Sequence, residues 1–189
     1  MLRARVALEM EDELVVQGVQ GTVGRPGLGR AFRPGGLGLT YLLTDKTPDP
    51  VRDQGSWKEQ ELRKNVVWLG AATSERFIPQ MLGLDNIGAV SFSKGCYPGQ
   101  EVIARARYLG KVKRKPLLLQ VFGAPELVPG ESLGLGVGEH RLEGAVVDSV
   151  ALPGTDQAGA VLAFVVAPVP ERPIESVAYA GFDYRCATI

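Results

Sequence analysis

A chain of 189 residues with 21 basic and 21 acidic side chains carries no net charge, so its overall balance points to no nucleic-acid-bound or membrane-bound tail. A chain of this length buries roughly 70% of the surface its unfolded form exposes, enough for one compact domain or two small ones without external staples. The two cysteines, Cys96 and Cys186, allow at most one disulfide and exclude a four-thiolate zinc site or a complete iron–sulfur cluster, which suits a reducing compartment. The opening "MLRARVALEMEDEL" has no apolar core, and the longest apolar run, "AVLAFVVA", is too short to cross a bilayer. The expectation is a soluble, cytoplasmic chain.

Leu2, Ala4, Val6 and Leu8 alternate with Arg3, Arg5, Ala7 and Glu9, which predicts a half-buried strand. "ELVVQGV" follows as a second strand that pairs with the first through the acidic turn "MEDE". The glycines and prolines from Gly21 to Gly38 rule out a regular helix and most of a strand, and read as a loop. "LTYLLTD" reads as a strand and "TPDPVRDQG" as a loop. Ser56 and Glu59 have capping-box spacing, and Leu62, Val66 and Leu69 recur at helical intervals, predicting a helix from about Trp57 to Trp68. Residues 75–100 are irregular, punctuated by Pro79, Gly83, Gly88 and Pro98, and loops this long tend to carry function. A helix is expected from Pro98 to Leu109, with Val102, Ile103, Ala106 and Leu109 on one face and Gly110 closing it. From Lys115 onward five strand segments, "PLLLQVFG", "ESLGLGV", "LEGAVVDSVAL", "GAVLAFVVA" and "IESVAYAGFDYR", alternate with turns and predict a small closed or nearly closed barrel.

The chemistry concentrates at "KGCYPGQE", Lys94 to Glu101. A cysteine near a helix N-terminus meets the positive end of the dipole, and Lys94 adds a full positive charge; both favour the thiolate, and with it nucleophilicity or metal affinity. Gly95 and Gly99 let the backbone approach a ligand closely. The competing reading of Cys96 is a buried small apolar residue, as most free cysteines are. Cys186 has no comparable neighbours and reads as structural. Residues 94–115 hold seven basic side chains (Lys94, Arg105, Arg107, Lys111, Lys113, Arg114, Lys115) against Glu101 alone, net +6, which leaves net −6 for the rest of the neutral chain. That patch would meet RNA phosphates or the carboxylates of an anionic small molecule such as a polyglutamyl tail; its bland alternative is a solvated face. Only Tyr97 and Tyr108 interrupt it, too few aromatic side chains for a stacking platform. "GTVGRPGLG" lacks the Gly-Lys-Ser/Thr end of a phosphate loop. His140, the single histidine, sits at an expected hairpin tip and would have to reach Cys96 to form a nucleophile pair. No metal site is expected.

The stretch "FIPQMLGLDNIGAVSFSKGCYPGQEVIARARYLGKVKRKPLLL", Phe77 to Leu119, resembles the signature region of the YgfZ family, folate-binding proteins related to the glycine-cleavage aminomethyltransferase. Lys94, Gly95, Cys96, Tyr97, Gly99, Gln100 and Glu101 match every specified position of K-G-C-Y-x-G-Q-E. "VSF" at Val90 to Phe92, Ala104 with Arg105, Gly110 and Arg114 also fit, while "LRARV" and "GAVVDSV" resemble strands on either side of the motif.

The resemblance implies an α+β architecture, a partial aminomethyltransferase-type folate-binding domain over residues 1–110 followed by a small C-terminal β-barrel over 111–189. It implies a tetrahydrofolate-binding accessory factor, rather than a turnover enzyme, that supports assembly or repair of iron–sulfur enzymes, including radical enzymes that thiolate tRNA. Cys96 would be the functional thiol and a transient cluster ligand, Lys94 would keep it reactive, Tyr97 and Gln100 would shape the pocket, and Glu101 would cap the loop or pair with Arg105. Folate contacts would come from Lys94, Tyr97, Gln100, Arg105 and Arg114. The alternatives are a folate-dependent aminomethyl transferase and a tRNA-binding module using Arg105 to Lys115. The family carries a substantial portion before the "LRARV" strand and a helix where this chain has Gly21 to Gly38, so the expectation is an incomplete folate domain that pairs with a second copy.

Overall fold

A computed structural model of the chain describes residues 14–19, 30–45, 54–110, 112–152 and 159–189. The chain divides into two compact units, Met1–Arg52 and Asp53–Ile189. The expected strand at Leu2 to Leu8, its "MEDE" turn and most of the loop at residues 47–55 lie outside the described residues.

In the first unit, β1 (Val15–Val19), β2 (Arg30–Phe32) and β3 (Thr40–Thr44) form an antiparallel sheet in the order β1-β3-β2. The central strand is the buried one: Thr40, Tyr41, Leu42 and Thr44 have little solvent access. β2 was not expected within the glycine-rich segment. It forms because Arg30, Ala31 and Phe32 make a short run free of glycine and proline, and Phe32 pairs across the strands with Tyr41, their ring centroids 6.4 Å apart.

The second unit is a barrel with a helical flank. β4 (Arg114–Phe122), β5 (Ser132–Val137), β6 (His140–Leu152), β7 (Ala160–Pro168), β8 (Ser176–Tyr179) and β9 (Phe182–Thr188) close in the order β4-β7-β6-β5-β8-β9, every pairing antiparallel. The expected closed barrel is thus present, with six strands where five segments were read. The extra strand arises because "IESVAYAGFDYR" folds back on itself at Ala180 and Gly181, both at positive φ (50° and 86°), the pattern of a type I′ hairpin. Alanine seldom takes that conformation, so the turn carries no obvious sequence signal.

Side chains alternate along each strand, and the apolar sets fall into two clusters. Leu119, Val121, Leu133, Leu135, Val146, Val161, Ala163, Val165, Val177 and Tyr179 fill the barrel interior. Val147, Leu162, Phe164 and Val166 face outward, yet they are equally buried, because Leu62 and Leu82 pack over them with Val67, Phe77, Met81 and Leu84 around the edge. This is why residues 53–110, grouped with the N-terminal residues in the expectation above, belong with the barrel in the fold.

Leu62 comes from α1 (Gln54–Arg63), which starts before the expected capping box, so Ser56 and Glu59 lie inside its first turns. It ends early because Asn65 turns left-handed at φ 57°: Val66 N–H donates to the Glu61 carbonyl and Asn65 N–H to that of Leu62, a Schellman closure. α1 is tied to the barrel at a bulge in β6. There the register shifts between Val146 and Asp148, so that Val147 and Asp148 both meet the α1 side. Asp148 is buried and accepts from Lys58 Nζ, from the Trp68 backbone N–H at 3.2 Å and from its own neighbour Ser149 N–H at 3.0 Å. Trp68 in turn donates its indole N–H to Glu61 at 3.1 Å. Among the described residues no helix is long and apolar enough to cross a membrane.

Removing the Asp148 carboxylate leaves Lys58 and the Trp68 amide without their buried partner. Asp148→Ala is expected to lower stability by about 3 kcal/mol and Lys58→Ala by less, since the lysine is partly solvated; urea unfolding of the two variants measures both. The Tyr179 hydroxyl donates to Glu131 and accepts from Val128 N–H at 3.2 Å. Burial first, and then the bond given to Glu131, push its pKa above the usual 10.0. A group whose folded pKa is raised stabilises the fold below its unfolded pKa and loses that contribution as pH climbs toward the folded value. Thermal stability should therefore fall from about pH 10 upward, and Tyr179→Phe should flatten that part of the profile.

Candidate functional site

The Cys96 loop lies beside a helix, with its thiol exposed. α2 (Gln100–Tyr108) starts two residues later than expected, because Gly99 adopts φ 80°, a left-handed conformation that glycine reaches without the Cβ penalty. Gln100 then folds back: its side-chain carbonyl accepts from Tyr97 N–H at 3.3 Å while its own N–H donates to the Tyr97 carbonyl at 3.2 Å. At the other end of the helix, Phe92 lies under the Arg107 guanidinium, 3.8 Å from ring centroid to Cζ, and edge-on to Tyr108 with centroids 6.4 Å apart. Residues 92–97 thus run back along α2 as a strap, held at Phe92 by the last helical turn and at Tyr97 by the first.

Cys96 is carried on this strap with its thiol free and exposed, not in the core. Lys94 is exposed too; its ammonium sits 5.0 Å from the centroid of the Tyr97 ring, a cation–π contact that engages its charge. Ser91 Oγ accepts from Lys94 N–H at 3.3 Å and tightens the turn before the thiol. Gly95, Gly99, Glu101 and Arg105 are exposed, while Tyr97 and Gln100 are half-buried. Glu101 occupies the first helical turn, where the dipole favours a negative charge, but it forms no ion pair with Arg105 among the described residues. Arg114 belongs to the barrel: Nη2 donates to the Glu143 carbonyl at 3.1 Å, and the Nε is buried without a partner. The fold therefore brings Lys94, Cys96, Tyr97 and Gln100 together and leaves Arg114 on β4.

The predicted apolar face of α2 is also not buried. None of its residues is in the core, and Val102 and Leu109 are 52% and 85% exposed. Its anchor is Gln80, in a 3-10 turn (Pro79–Met81) that packs against β4. The buried Gln80 amide donates to the Ile103 carbonyl at 2.7 Å, while its Oε1 has no partner. Nothing in the sequence marks Gln80 for this task, since a glutamine between proline and methionine reads as a surface residue.

The other chemical candidates stand apart. His140 is exposed at the β5–β6 hairpin, where it pairs with Val137, and makes no hydrogen bond to Cys96. Cys186 is half-buried on β9 with its sulfur 3.8 Å from the Ile174 carbonyl, and burial pushes its thiol pKa up. An open groove of about 610 Å³ runs over the barrel wall between Ser132, Arg141, Phe182 and Asp183, with none of the strap residues in its lining. Arg141 pairs with Asp183 there at 2.9 Å, and Ser132 donates its hydroxyl to Glu143 at 3.1 Å. Among the described residues no three His, Cys, Asp or Glu side chains gather to hold a metal ion.

If Gln80 is what fixes α2, Gln80→Ala should speed amide exchange through residues 100–108 by about tenfold, the loss of roughly one hydrogen bond, while protection of the barrel strands stays unchanged. Hydrogen exchange read by mass spectrometry checks it.

No protein-family model matches the chain.

Proposed function

We propose that the chain is a tetrahydrofolate-linked accessory factor that supports assembly or repair of iron–sulfur enzymes, among them tRNA-thiolating radical enzymes, by presenting the Cys96 thiol. The observation that carries this reading is the conjunction of a complete KGCYxGQE motif with an exposed thiol on a strap fastened at both ends. A thiol so presented is accessible to another protein, and the motif residues have physical tasks around it. Gly99 makes the break that starts the helix, Gln100 closes the loop on Tyr97, and the Tyr97 ring holds the Lys94 ammonium beside the strap. The arrangement suits an accessory role better than turnover, because a small-molecule reaction needs a site that excludes water and Cys96 is open to it. Iron–sulfur species are the cargo in this reading, with Cys96 as one ligand and the client enzyme supplying the others.

The fit to tetrahydrofolate is partial. Lys94 and Arg105 are exposed cations suited to the glutamate carboxylates of the cofactor, whereas Arg114 is engaged with Glu143. Lys94, Tyr97, Gln100, Arg105 and Arg114 do not by themselves enclose a slot for the pterin ring. The cofactor would supply one-carbon or reducing chemistry when bound; this chain's contribution is to hold the acidic tail and keep the thiol accessible.

Two measurements separate the halves of the proposal. Anaerobic calorimetry with tetrahydrofolate should give saturable one-site binding that weakens in Lys94→Ala; a folded chain that takes up no folate removes the folate half. Cys96→Ala should abolish rescue of iron–sulfur enzyme activity in cells lacking the protein, and undiminished rescue would remove the thiol half.

A further inference from the structure

Tyr97 and Tyr108 are too few aromatic side chains for a stacking surface when read along the chain, but the fold adds a third. Phe92 is laid against the last turn of α2, between Arg107 and Tyr108. We propose that the strap and the outer face of α2 bind single-stranded nucleic acid. The inference does not rest on the folate or thiol readings, although it uses Lys94 and Arg105, the cations offered above to folate carboxylates.

Charge is the first argument. Lys94, Arg105 and Arg107 are all exposed, and none forms an ion pair among the described residues. The carboxylate on this helix, Glu101, lies one turn before Arg105. Such a surface attracts a phosphodiester backbone.

Geometry is the second. The Arg107 guanidinium is stacked on Phe92 at 3.8 Å and stands 5.8 Å from the Tyr108 centroid; the Lys94 ammonium rests 5.0 Å from that of Tyr97. Cations held on rings lose less side-chain freedom when they meet phosphate than free arginines and lysines do. Tyr108 meets Phe92 edge-on at 76° and is 67% exposed, so a ring face is open to a base. Stacking on an aromatic face requires an unstacked base, which a duplex does not offer and a single strand does. Arg105 lies one turn before Tyr108 and would contact the phosphate beside a base stacked there. Val102 and Leu109 widen the apolar surface without selecting a partner.

The test is fluorescence anisotropy of a labelled single-stranded RNA of about 12 nucleotides titrated with the full chain at low salt. Saturable binding is expected, with a slope of about −2 for log affinity against log salt if three phosphates are neutralised. Tyr108→Ala should weaken binding on the order of tenfold and Tyr108→Phe should restore it, because the ring and not the hydroxyl is required. Circular dichroism of both variants verifies their folding. A DNA strand of the same length identifies the source: equal affinity assigns the face to single strands generally, and weaker affinity assigns it to RNA, either of which supports the proposal. No anisotropy change with the folded chain overturns it. So does a Tyr108→Ala variant that binds as well as the parent, or displacement of the RNA by polyglutamate at equal charge, which would identify the face as a site for acidic protein.

Discussion

β7 is buried on both of its faces, and the arrangement of the second unit follows from that constraint. Alternate residues from Val161 to Ala167 enter the barrel, while Leu162, Phe164 and Val166 need a second cover outside it. Each large side chain buried in this way contributes about 1.5–3 kcal/mol, so a barrel with this outer face bare would leave much of its apolar gain unrealised. α1 and the segment around Phe77 to Leu84 supply the cover. The bulge in β6 completes the attachment by turning Val147 into the outer core and Asp148 toward Lys58. An acid in that position replaces an apolar contact with a directed one, which fixes where α1 sits as well as that it sits there.

The candidate site inherits its position from this cover but not its burial. Leu82 is buried against the barrel, and Gln80 two residues earlier reaches up to the Ile103 carbonyl of α2. Beyond it come the strap, the exposed thiol and the exposed ends of α2. Burial therefore declines along one path from β7 to Cys96, from side chains with no solvent access to a loop held by ring contacts and a folded-back glutamine. A thiol meant to meet another macromolecule is well served by such a gradient, because the scaffold sets its location while the strap keeps it reachable.

The strap also shows how one set of side chains can serve two purposes. Phe92 fastens the loop by engaging Arg107 and Tyr97 by engaging Gln100, and the rings of Phe92 and Tyr97 also hold Arg107 and Lys94, neither of which forms an ion pair among the described residues. Two nearby surfaces result, one presenting sulfur and one presenting charge with a ring face. They share Lys94 but differ in Cys96 and Tyr108, so a change at Tyr108 and a change at Cys96 act on separate properties.

Much of this architecture was legible in the sequence because it rests on local signals. Apolar segments separated by regular turns reveal the barrel as five pieces, one of them the apolar run of β7, and seven specified residues in eight positions mark the loop. Positions that depend on partners distant along the chain were not legible. Asn65 and Gly99 set the helix ends through backbone conformations that their flanking patterns do not demand, and the Ala180–Gly181 turn hides in an unremarkable pair. Val102 and Leu109 show helical periodicity, but periodicity defines a face and cannot say whether anything packs on it; here nothing in the core does. Asp148 and Gln80 read as surface polar residues until the fold buries them against α1 and α2. The sequence by itself determined the kinds of most elements, a small barrel that was closed or nearly so, and the residues that make up the Cys96 loop, since each is written in neighbouring residues. Only the tertiary structure decided that the thiol lies open beside α2 and that Arg114 is turned to Glu143, because burial and hydrogen-bond partners arise between segments far apart in the chain.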